Sequence, residues 1–543
     1  MANSKTDKHL LDQLMFSLYP EPKTIYREYI QNAADSIWEA ELSGIIEKGE
    51  GHISIDVNEN KQEIKIWDNG KGLKQTEAET ILKDISVSTK RDKEYTAGYF
   101  GIGKFVGAGY CQKMTFRTSS KGENSVSELI FDVAKIRQFI DDETVDLSPN
   151  QIIDKCTTFK TIEKDDINEH FFEVILSGIK PEYIELLLTE KLIKDYLIQI
   201  SPIDFKAPFK TNLFDPDLAE AKPEIKKCVS ELRFVKLSLN KTVDIRKEYG
   251  LKISGTEDKI HRIRFFILDD KKFGPLAWGW YAITPFSTQI ADTNSSSLTR
   301  GIRLRIKNIQ IGSESFFDGT EYFKEPRGNK FFNGEIHVLN SNIKPVSDRS
   351  DIQPTTEGQL LKEKIRNFFI SELGPVYRNA NTAKTAIQNY QKSVQELNNV
   401  KDMQITTEYT EEDKEKDIKR AEKKEEKIYS DLQKKVFERE GKTEGEKAVF
   451  DIYKQRAEKL IKDPVSAEKD VKKEEDEKVN KKDDNTAIEK KDIFCEIRTK
   501  YTKEEMKIIE EIFEIIDVNF YSDAYQGVIN TVKRKILSEL NKK

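Results

Sequence analysis

The chain has 543 residues, of which 34% are charged, yet its 90 basic and 96 acidic residues nearly cancel to a net charge of −6. That length allows several domains, and the balance of signs argues against a generally basic nucleic-acid-binding protein. Its four cysteines, Cys111, Cys156, Cys228 and Cys495, are dispersed; they make no metal spacing and fit a reducing compartment better than a disulfide framework.

The N-terminus, Met1-Ala-Asn-Ser-Lys-Thr-Asp-Lys8, has no hydrophobic signal core, and no uncharged apolar run reaches membrane-spanning length. A soluble, cytoplasmic protein is expected. The first informative segment is Glu28-Tyr-Ile-Gln-Asn32-Ala-Ala-Asp35. Leu14, Leu18, Ile25, Tyr29, Ile30, Ala33, Ile37 and Trp38 approximate a helical period around it. Glu28, Asn32 and Asp35 fall at i, i+4 and i+7, on one face. A carboxylate one turn from a carboxamide suits Mg-nucleotide chemistry: the amide oxygen is a hard ligand for Mg²⁺, and the carboxylate can deprotonate a water. Taken alone, the face reads better as a solvated helix surface.

Ile53–Val57 and Ile64–Trp67 alternate as two strands joined by a turn at 58–61, and the second runs into Asp68-Asn-Gly70-Lys-Gly72. Glycines there allow close approach of a flat ligand. A buried Asp68 is acceptor-only and matches the adenine amine; an ordinary Asn-Gly turn is the alternative. Next, Gly98-Tyr-Phe-Gly101-Ile-Gly103-Lys104 precedes a helix-like run at 105–108, a helix start whose N–H groups can cradle phosphates. It lacks the Gly-Lys-Ser/Thr ending of a P-loop.

In this order and spacing the three segments resemble the ATP-binding fold shared by gyrase, the ninety-kilodalton heat-shock chaperone, histidine kinases and MutL, the GHKL superfamily. The resemblance implies an α+β chain that begins with a Bergerat-type α/β sandwich, and an Mg-dependent ATPase with ATP and Mg as cofactors. It implies Glu28 as catalytic base and Asn32 as metal ligand. Asp35, Asp68, Gly70, Gly72, Lys90, Gly98, Gly101, Gly103 and Lys104 would bind nucleotide. The polar stretch 73–97 stands where the superfamily has a mobile lid. Cys156-Thr157-Thr158 stands where it often has Gly-Thr, which implies a nucleotide role for Thr157 or its neighbour.

Downstream, 301–312 reads as a strand pair, followed by Asn333–Val338 and by Ile343-Lys344-Pro-Val-Ser-Asp348-Arg349-Ser-Asp351. These segments resemble the middle domain of the heat-shock chaperone, especially its short bacterial relatives, and imply that Arg349 reaches the γ-phosphate, with Lys344 as a second candidate. A surface pairing of Arg349 with Asp348 or Asp351 is the alternative.

The expected organisation is an ATP-binding domain at 1–180, a transducer-like middle domain at 181–375 ending at a Gly374-Pro375 break, a charged helical or disordered linker at 376–490, and a helical module at 491–543. The family resemblance implies ATP-driven lid closure and domain docking that act on a protein client, with ATP-dependent homodimerisation. By analogy with chaperone-like ATPases of defence islands, it extends to anti-phage defence. A DNA clamp resembling MORC or MutL proteins is the alternative; it needs a basic surface, for which Lys206, Lys210, Arg303, Arg305 and Lys307 are candidates. A histidine-kinase-like phosphotransferase fits less well, since only His9 precedes the ATP segment.

Overall fold

In a computed structural model the chain is described over residues 8–462, apart from 19–20, 85–102, 254–255, 257, 288–297 and 407–408. Lys90, Gly98, Gly101 and the expected helical module at 491–543 therefore lie outside the described residues. The described residues up to 455 form one compact unit.

Helix α1, Thr24–Leu42, follows the predicted apolar spacing and buries Ile25, Tyr29, Ile30, Ala33, Ile37 and Trp38. The expected hairpin is present as β1, His52–Asn58, and β2, Glu63–Asp68, paired antiparallel. Period-two alternation buries Ile53 and Ile55 on β1, and Ile64, Ile66 and Asp68 on β2. Asp68 therefore shares the face that packs, with α1, into one apolar core. Helix α2 spans Gln75–Lys83.

The sheet is completed by β3 (Lys113–Ser119), β4 (Ser125–Asp132), β5 (Thr157–Glu163), β6 (Phe171–Ser177), β7 (Lys236–Leu239) and β8 (Val243–Asp244). Its order is β5-β4-β3-β6-β2-β1-β7-β8, antiparallel except where β7 lies parallel to β1. The first sheet thus draws its last two strands from beyond residue 180. Helix α3, Glu190–Ile200, buries Leu197, Ile198 and Ile200 in the same core as α1.

A second sheet contains β9 (Arg262–Asp270), β10 (Gly274–Ile283), β11 (Gly301–Ile306), β12 (Ile309–Ile311) and β13 (Asn333–Val338), in the order β12-β11-β13-β10-β9. The strand pair expected at 301–312 is the β11–β12 hairpin, turned by Lys307 and Asn308 at positive φ.

The chain does not break at Gly374-Pro375. Helix α4, Thr356–Phe368, continues through a π-helical turn, Phe369–Leu373, into α5, Gly374–Asp402, with Pro375 in its first turn. Proline is tolerated there because the wider π-helical turn before it gives its ring room. Part of the expected linker is also ordered. Helix α6, Glu411–Leu432, pairs with α5 through Lys424–Glu396 and Lys401–Glu422 ion pairs and a Tyr390–Tyr429 ring contact. No helix among the described residues is long and apolar enough to cross a membrane.

Candidate functional site

The site is built on α1, on the turn after β2, and on the segment that begins at Gly103. Glu28 and Asp35 are buried and Asn32 is half-buried. After β2, Asp68 Oδ1 accepts a hydrogen bond from Gly70 N at 2.9 Å. The turn is tied down on all sides. Lys71 N donates to Ser36 O of α1, and Leu73 N to Thr118 Oγ1 of β3, which itself donates to Phe171 O. His170 Nδ1 lies 2.7 Å from Gly70 O. Gly72 has φ +67°, and a β-carbon there would overlap the Ser119 carbonyl, so only glycine fits.

Gly103 opens a 3₁₀ helix, Gly103–Gly109, over the helix-like run expected there. A β-carbon on Gly103 would stand 2.5 Å from Glu28 Oε2, so the glycine lets its own backbone lie close to the carboxylate. Tyr29 fastens the same segment: its hydroxyl donates to Lys104 O at 3.0 Å and accepts from Gly107 N at 3.1 Å. The Lys104 ammonium turns to the end of α2, donating to the carbonyls of Ile81 and Asp84, a favourable place for a cation at a helix C-terminus. Burial lowers its pKa to about 8, opposed by the nearby Asp84.

Thr157 does not join this group. It begins β5, an edge strand four places from β2, about 19 Å away at the usual strand spacing. The strand beside β2 is β6, and the hydroxyl near the glycine turn is that of Thr118.

Arg349 meets this group from the loop after β13. Its Nε stands 3.0 Å from Glu28 Oε1, and both side chains are almost fully buried. The alternative pairings do not form: Asp348 accepts from Ser350, and Asp351 pairs with Lys362. Arg349 holds φ +59°, uncommon for a branched-chain-free but bulky side chain, with its N–H on Val346 O and its carbonyl accepting from Gly312 N. Beside it, Arg27 Nη2 donates to Asp348 O at 2.7 Å, a second tie between α1 and this loop that the sequence reading missed.

Residues 21–167 match the family described as histidine kinase-, DNA gyrase B-, and HSP90-like ATPase. The N-terminal domain is of the GHKL type. The same region is similar to chaperone proteins HtpG: 24% identical over 139 residues to that of Rhodococcus jostii, 28% over 136 to that of Shewanella sediminis, and 29% over 136 to that of Chlorobium phaeovibrioides. Each match covers 22% of this chain, and the chain spans 21–22% of the length of these relatives.

The candidates for a basic DNA surface differ in burial and pairing. Arg303 and Arg305 are buried, Lys206 pairs with Glu248, and Lys210 with Asp204.

Proposed function

We propose that this chain binds and hydrolyses Mg-ATP in the GHKL site, and that nucleotide controls how the Arg349 loop docks on α1. The observation that carries this reading is the buried contact between Glu28 and Arg349, two groups with complementary roles in phosphoryl transfer. Asp68 accepts from the adenine amine, and the backbone around Gly103 faces the phosphates. Glu28 takes the proton of the attacking water. The Arg349 guanidinium leaves Glu28 for the γ-phosphate and stabilises the charge that develops there.

Asn32 would hold the magnesium. One half-buried amide oxygen suits an ion that arrives with phosphates and keeps most of its waters. Mg²⁺ supplies charge neutralisation on the phosphates; the remaining work is done by the side chains above. Docking and release of the loop give a switch that acts on a protein client or partner, with ATP-dependent homodimerisation and anti-phage defence as its wider setting.

Turnover of ATP by the full chain tests this. Wild type hydrolyses ATP, and Glu28→Ala binds it but turns over about a hundredfold to ten-thousandfold more slowly. Equal turnover by the two would remove Glu28 from the chemistry.

A further inference from the structure

The far side of α3 carries a buried polar junction with the second sheet. Glu335 on β13 is fully buried, and its carboxylate accepts from Arg305 Nε at 2.7 Å, Lys247 Nζ at 2.9 Å and His337 Nε2 at 3.0 Å. Arg305, so fixed, reaches Gln199 O near the end of α3 at 2.9 Å. Arg303 Nη1 donates to Gln199 Oε1 at 3.0 Å. Two arginines of β11 thus grip one glutamine of a helix that belongs to the first core.

This junction lies on a closed path. Helix α3 packs against α1, which carries Glu28. The hairpin that carries Arg303 and Arg305 continues through β12 to Gly312, whose N–H holds the Arg349 carbonyl at 2.8 Å. Arg349 then returns to Glu28. The two ends of the hairpin region fix the two halves of one catalytic contact. A buried guanidinium is costly unless its charge and N–H groups are matched, so such a junction has a defined geometry.

From this path we infer that Gln199 is a positioning residue: with Arg303 and Arg305 it sets where the Arg349 loop stands relative to Glu28. This rests on the ATPase reading of the site. Small misplacement of a catalytic group can cost about a hundredfold in rate, so a residue far from the nucleotide can control turnover without touching binding.

The test uses the full chain as wild type, Gln199→Ala, Gln199→Glu, Arg349→Ala and the double variant Gln199→Ala/Arg349→Ala. ATP affinity, turnover at saturating Mg-ATP and amide hydrogen exchange are measured on each. Gln199→Ala should lower turnover about tenfold or more with affinity unchanged, and raise exchange in residues 345–352 while β2 keeps its protection. Gln199→Glu, which still accepts from Arg303, should recover most of the loss. Gln199→Ala should add nothing once Arg349 is gone. Wild-type turnover and exchange in Gln199→Ala would overturn the inference, as would an additive double variant, a Glu variant as poor as the Ala one, or exchange rising evenly through the chain. If the wild type itself does not hydrolyse ATP, the ATPase reading falls, and exchange in 345–352 alone decides whether Gln199 positions the loop.

Discussion

Arg349 Nε and Glu28 Oε1 meet at 3.0 Å across 321 residues of sequence, both buried. Removing one partner of a buried ion pair leaves an uncompensated charge, which typically costs about 3–5 kcal/mol. Arg349→Ala should therefore loosen the contact between its loop and α1, seen as a lower thermal midpoint. Adding Glu28→Gln to Arg349→Ala should recover much of that stability and none of the turnover. Recovery of both would mean that the pair is structural.

Gly103→Ala tests the loop that faces Glu28. The added methyl would stand 2.5 Å from Glu28 Oε2, so the carboxylate or the loop must shift. Turnover should fall while the thermal midpoint changes little, because the neighbour is a side-chain end. Gly72→Ala should lower stability as well: its φ of +67° and the overlap with the Ser119 carbonyl strain the backbone, costing more than about 1 kcal/mol in denaturant titration.

Asp68→Asn keeps an oxygen that can accept from Gly70 N, so the turn and the fold should survive. It loses the purely accepting character that matches the adenine amine. Calorimetry should show ATP binding lost with an unchanged melting profile. Wild-type affinity would remove the adenine assignment.

Burial of His337 makes folding stability pH-dependent. Burial lowers its ring from 6.5 to about 4, against the pull of Glu335, and Nε2 donates to that carboxylate while Nδ1 has no hydrogen-bond partner. Between these values the unfolded chain binds a proton that the native ring does not. The contribution is complete above the unfolded value and is lost as pH falls toward the folded one. From pH 7.5 to pH 5 the wild type should lose about 2 kcal/mol more than His337→Gln, measured by chemical denaturation at both values. Parallel losses would contradict a neutral buried ring.

Much of the first domain is legible in the sequence because its signals are local. The i, i+4, i+7 spacing puts Glu28, Asn32 and Asp35 on one face of α1, and period-two alternation carries β2 into Asp68. Arg349 has no local signature; only the family resemblance points to it, because its partner lies 321 residues away. Thr118, His170 and Arg27 act through long-range hydrogen bonds that no spacing announces. Thr157 was misplaced because a threonine-rich strand start looks alike at a sheet's edge and beside its centre. Arg303 and Arg305 alternate with Ile302, Leu304 and Ile306, a pattern that marks a polar face without saying that α3 covers it.

The most direct test of the account is turnover by Arg349→Ala at saturating Mg-ATP, with ATP affinity measured on the same preparation. The account predicts that ATP still binds, since Asp68 and the glycine turn are untouched, and that most turnover is lost. Wild-type turnover in a folded Arg349→Ala chain would contradict it.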